Sequence, residues 1–325
     1  LLIAQGIVAS PVNVQQVPYT AEEYENYQRA ISADPATRAD DIIAFMKEDL
    51  ESALVEYALG SYIQLMQDFL NQGEMQKVFT AGENLLAIKP GEANSLYMTT
   101  VSAYNLQNFQ KTVEYGEQSY AHKPSTGLAF VLANSYLQLK NEEKVIEHGE
   151  KACSELPRKD CYQILNELMQ IYARRANSSK LASDWGVAAK HAGLAIEGWD
   201  AAGKPDQMTE DAWKKVVETQ KAMAYQIQGR QAYETNKWTA AISNYQKVLA
   251  LNPEPPLVAE AYYYMGQGRW RQKQADPAME AFARGSVQRG APHAKPCRQY
   301  LEQLYRSTHN DSLAGIEEFV ERVAP

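Results

Sequence analysis

The chain has 325 residues, 45% of them hydrophobic, which excludes wholesale disorder and leaves room for two ordinary domains or one extended array. Lys and Arg number 32 against 40 Asp and Glu, so a surface of net charge −8 repels nucleic acid and anionic lipid as a whole. The densest basic stretch, with Arg289, Lys295, Arg298 and Arg306, lacks the interleaved aromatics of a strand-binding surface and reads as a solvated helical face.

Residues 1–10, LLIAQGIVAS, are mostly apolar and lead into a polar, proline-bearing linker, PVNVQQVPYT. Val8, Ala9 and Ser10 are small enough for a signal-peptide cleavage site. Segment 1–19 therefore reads as an apolar N-terminal segment and linker, the tail of a signal peptide, and the chain as extracytoplasmic: periplasmic, secreted or membrane-associated. If retained, the segment would be the end of a membrane anchor or an apolar tail docked on a partner. It contains no cysteine, so nothing supports a lipoprotein. Residues 20–58 predict a helix pair, with Asp34 as cap and Pro35 in the first turn of its second helix.

From 59 onward the chain repeats. Pro124 follows Pro90 by 34 residues and Pro157 follows after 33. The stretches ending at these prolines, MQKVFTAGENLLAIKP, FQKTVEYGEQSYAHKP and EEKVIEHGEKACSELP, align without gaps and place Gly82, Gly116 and Gly149 in register. WTAAISNYQKVLALNP, 238–253, is a fourth copy. A glycine inside a helix costs about 1 kcal/mol relative to alanine, so three at equivalent positions predict helices packed too closely there for a side chain.

The pattern resembles the tetratricopeptide repeat over most of residues 59–291. In the best-fitting unit Gly229 stands at position 8, Trp238 at 17, Ala241 at 20, Tyr245 at 24 and Pro253 at 32. The next unit has Gly266, Ala278 and Phe282 at positions 8, 20 and 24, with Gly290 instead of the proline. Earlier units depart further, with Met66, Thr100 and Ala133 at position 8 and glycine at 24. Between Pro157 and this region an insertion lengthens one unit, predicting helices at 161–176 and 184–202 around a polar loop 177–183, then a long helix 210–233. Residues 292–325 predict a capping helix pair, 295–308 and 312–323, with Glu317, Glu318, Glu321 and Arg322 facing water.

The resemblance implies an all-α fold, a right-handed superhelical solenoid of antiparallel helix pairs (TPR-like), and a noncatalytic scaffold or assembly factor that binds a peptide or partner protein. In such arrays the first helix of each unit lines a concave face through positions 2, 5, 9, 12 and 13. By that rule the groove contains Tyr97, Tyr104, Phe130, Asn134, Tyr162, Asn166, Tyr233, Tyr263 and Trp270, joined by Leu137, Met169, Arg230 and Gln267. Asn134 and Asn166 would pair with the backbone of an extended peptide while the aromatics hold its side chains. The cation set with which some relatives clamp a terminal carboxylate is absent. The alternative function is a permanent structural subunit of a larger, membrane-associated complex.

Evidence of other chemistry is scarce. His122, His148, His191, His293 and His309 form no HExxH and no paired spacing with cysteine, so neither metal nor cofactor is expected. GQGRW, 266–270, lies within a predicted helix with no strand before it and is not a phosphate loop. Of the three cysteines, Cys153 and Cys161 sit eight apart around a tight interhelical link. They read as small apolar core residues, with a bridge in an oxidising compartment as the alternative.

Overall fold

The computed structural model describes residues 19–48 and 50–324. Residues 1–18, which carry the leader expectation, lie outside the described residues. Every regular element among the described residues is a helix, and most helices pack against the next one in the chain across a short connection. Contacts divide the chain into two compact units, one up to Ser135 and one from Tyr136 onward, the division falling inside α7.

The first unit contains α1 (Ala21–Ile31), α2 (Arg38–Glu48), α3 (Val55–Asn71), α4 (Met75–Ile88), α5 (Ala93–Asn105), α6 (Phe109–His122) and most of α7 (Thr126–Gln138). The second contains α8 (Glu142–Glu155), α9 (Arg158–Ser179), α10 (Ala182–Ala201), α11 (Glu210–Glu234) and α12 (Trp238–Ala250). It ends with α13 (Pro255–Arg271), α14 (Ala275–Ser286), α15 (Ala294–Thr308) and α16 (Ile316–Val323).

One turn recurs between the helices of a pair. Gly73, Gln107, Lys140, Asn236 and Lys273 all have φ between 57° and 74°, in the left-handed region. The following residue reaches back five positions: the N–H groups of Glu74, Asn108, Asn141, Lys237 and Gln274 donate to the carbonyls of Phe69, Ala103, Tyr136, Ala232 and Arg269 at 2.8–3.0 Å. This six-to-one bond is the Schellman closure of a helix C-terminus, and it turns the chain sharply enough to lay the next helix against the last. Asn108 and Asn141 then cap α6 and α8, each side chain accepting from the backbone N–H three residues on.

Close packing occurs at the predicted glycines, and its partners explain the departures from the repeat pattern. A Cβ on Gly82 would collide with the Thr99 side chain and stand 3.3 Å from Met66 Cε. One on Gly116 would lie 2.9 Å from Leu132 Cδ2 and 3.1 Å from Thr100 Cγ2, and one on Gly149 would lie 2.8 Å from Ile164 Cγ2. In the later units the arrangement is exchanged: Gly229 and Gly266, on the first helix, face the rings of Tyr245 and Phe282 on the second at 2.9 and 2.6 Å. Thus Met66 with Gly82 and Thr100 with Gly116 are large-on-small pairs, whereas Gly229 with Tyr245 and Gly266 with Phe282 are small-on-large ones. The nearest neighbours of Gly82, Gly116 and Gly149 are Thr99, Leu132 and Ile164 of the following helix, so these glycines set the spacing to the next unit as well, as close-packed interiors require. Tyr62, Tyr245 and Phe282 are all fully buried, and Tyr62 satisfies its hydroxyl on the Ala81 carbonyl at 2.9 Å.

Three local expectations are corrected. Asp34 Oδ1 accepts from the N–H of Ala36 at 2.8 Å, closing a turn around Pro35 that precedes α2, which begins only at Arg38. The loop expected over 177–183 is mostly helix, leaving only Lys180 and Leu181 between α9 and α10. Its serines do not stop the helix: Ser178 and Ser179 donate back to the carbonyls of Arg174 and Ala176, and Ala176 is fully buried. Cys153 and Cys161, read as unbridged core residues, form a disulfide between the last turn of α8 and the first turn of α9, with Cα atoms 5.7 Å apart. The tight turn at Pro157 brings the two helix ends within bridging distance. In the terminal pair, Glu317, Glu318, Glu321 and Arg322 are exposed.

Candidate partner-binding groove

Within the second unit, α9, α11 and α13 present one face to two adjoining clefts. The larger, about 380 Å³, lies between the middle of α11 and the start of α13, walled by Ala222, Met223, Leu251, Pro256 and Leu257. The smaller, about 230 Å³, runs from α11 to Gln170 and Arg174 of α9, with Trp185 at its side. Met223, Gln226 and Glu260 line both, so the clefts form one trough. These residues occupy the repeat positions assigned to a groove. With Gly229 at position 8, Met223, Gln226 and Arg230 are at 2, 5 and 9; with Gly266 at position 8, Glu260 is at 2.

The trough cations are held by neighbouring acids. Arg174 Nη2 is 2.6 Å from Glu142, Arg230 Nε is 2.7 Å from Glu234, and Lys215 is 4.0 Å from Glu254. Arg230 is fixed further by a hydrogen bond to the Tyr264 hydroxyl, and its guanidinium lies 5.3 Å from the Trp185 ring centroid. Among the described residues, half-buried Glu260 has neither an ion pair nor a hydrogen bond.

The residues expected from sequence fall into three situations. In the first unit, Tyr97 is 47% exposed and lines a cleft of about 370 Å³ with Asn94, His122 and Leu128. Tyr104 is half-buried against Phe109, with its hydroxyl pKa raised by desolvation. Asn134 donates its amide to the carbonyl of half-buried Phe130 at 3.0 Å, which engages that donor inside its own helix. In the second unit, Tyr162 packs edge-on against Trp199 and Trp213, with centroids 4.6 and 6.2 Å away, as interhelical filling. Asn166 is buried, its Oδ1 without a partner.

Tyr233, Tyr263 and Trp270 belong to a third group, a chain of edge-on rings through Tyr264 and Tyr300. Burial and the neighbouring Tyr300 push the Tyr263 hydroxyl up to about 12, and burial also raises Tyr233. These hydroxyls stay protonated at neutral pH and make no base. Met223, Gln226 and Glu260 line the trough without belonging to the aromatic and amide set expected from sequence. The repeat register itself points to them. Among the described residues no group of His, Cys, Asp or Glu could hold a metal ion, and no helix is long and apolar enough to cross a membrane.

No protein-family model and no curated protein matches the sequence. Among solved structures, a tetratricopeptide repeat protein from Parabacteroides merdae is similar at 14% identity, covering 87% of this chain and 99% of that one, with a TM-score of 0.34. Yeast Tom70 is similar at 14% identity over 92% of this chain and 56% of that one, with a TM-score of 0.37; the match spans little more than half of that chain. The TPR2AB domain of yeast Sti1, in complex with pHSP90, is similar at 17% identity over 87% of this chain and 96% of that one, with a TM-score of 0.31.

Proposed function

We propose that the protein is a noncatalytic interaction module that holds an extended segment of a partner protein in the trough of α9, α11 and α13. The observation that carries this reading is that groove positions from successive first helices line one open channel, through Met223, Gln226 and Glu260. The walls of the larger cleft offer apolar surface for a side chain, and the Gln170 and Gln226 amides offer donors and acceptors to its backbone. An extracytoplasmic location is part of the proposal, supported by the Cys153–Cys161 bridge, since such bonds persist in oxidising compartments.

Placing a photo-crosslinking residue at Gln226 tests the function, with exposed Glu280 of α14 as the control site. In the native host, Gln226 should give a discrete adduct with a partner and Glu280 none. Met223→Ala should then weaken that partner by about 2 kcal/mol, the usual weight of a buried anchor, with an unchanged Tm. Equal adducts at both sites, or none at Gln226, would reject the trough as the binding surface.

A further inference from the structure

The trough carries an unbalanced charge at its centre. Its three cations already have acid partners, Arg174 with Glu142, Arg230 with Glu234 and Lys215 with Glu254. Glu260, at the junction of the two clefts, has none among the described residues. Directly beside it, Met223, Pro256 and Leu257 wall the larger cleft with apolar surface. A carboxylate placed there without an ionic partner offers an incoming cation a charge-assisted bond that displaces no existing pair.

Resting on the groove reading above, we infer that the trough selects a partner segment with a Lys or Arg next to a large apolar residue, the cation seating on Glu260 and the apolar side chain entering the cleft walled by Met223 and Leu257. An acidic segment is disfavoured on the same geometry. Its carboxylates would meet Glu260 and Glu218 in the lining, while Arg174 and Arg230 would have to abandon Glu142 and Glu234 to receive them. The net charge of −8 acts in the same direction at longer range by drawing cationic segments inward.

The full chain would be panned against a display library of random twelve-residue peptides, in parallel with Glu260→Gln, Met223→Ala and Gln226→Ala variants whose Tm matches the parent. The expected result is enrichment of Lys or Arg adjacent to a large apolar residue. Glu260→Gln should weaken the selected peptides about tenfold, equivalent to 1.4 kcal/mol, and replacing the peptide's cation with Met should add no further loss in that variant. Selected peptides that depend on Met223 or Gln226 but carry no cation, or that ignore Glu260→Gln, would overturn the charge inference and leave the groove reading standing. If no peptide depends on Met223 or Gln226, both fail.

Discussion

Gly266 faces the Phe282 ring at 2.6 Å from where its Cβ would stand, whereas nothing lies within 4 Å of the same point on Gly60 or Gly186. Three helical glycines therefore predict opposite signs. Gly266→Ala should lower stability by about 1–3 kcal/mol, because the fully buried ring cannot yield without displacing its own neighbours. Gly60→Ala and Gly186→Ala should each raise it by about 0.4–1 kcal/mol, by restricting the unfolded chain and favouring the helix. Urea titrations measure all three, and a neutral Gly266→Ala would show that the interhelical distance is not fixed by this pair.

His191 predicts a pH effect. Its ring is buried, stacks on Tyr172 at 4.8 Å and has Nε2 3.4 Å from Glu150. Desolvation lowers its pKa from 6.5, with Lys190 assisting and Glu150 opposing. The unfolded chain then binds the proton more readily than the native one, so this contribution to stability is present above pH 6.5 and is lost as pH falls through the depressed native value. The urea midpoint should drop on acidification below pH 6.5, and His191→Gln should flatten that slope.

Among the elements, the link between α8 and α9 differs most from its sequence reading. Spacing alone leaves the Cys153–Cys161 bridge undecided, since eight residues can hold the sulfurs together or far apart depending on how sharply the chain turns at Pro157. Closing so short a loop should stabilise the fold by about 2.5 kcal/mol. Unfolded under non-reducing conditions, protein from its native source should react with maleimide once, at Cys297, and three times after reduction. Three additions without reductant would reject the bridge and the oxidising compartment with it. Helix identity was legible from proline and glycine spacing, and α11 is predicted within a residue of its ends. The α9 terminus was not legible. Asn177, Ser178 and Ser179 resemble a loop by composition, but their helical role depends on the burial of Ala176 and on hydroxyls bonded back along the helix.

For the molecule as a whole, the repeat period and the all-helical class could be read from sequence because each rests on local periodicity. The groove could be read only as a set of positions. What a residue there packs against depends on distant sequence: the equally half-buried Tyr162 meets the rings of Trp199 and Trp213, whereas Met223 and Gln226 line the clefts. That difference has a practical consequence for detecting an occupant. Trp185 lies beside the trough beneath the Arg230 guanidinium, whereas the lining contains none of the chain's other four tryptophans, Trp199, Trp213, Trp238 and Trp270. An indole's emission follows the polarity and charge around its ring, so a segment entering beside Arg230 should alter the light from Trp185 against a constant background from the rest. The protein thus carries an intrinsic optical gauge of its own occupancy, readable in a cuvette without a label and silenced by Trp185→Phe.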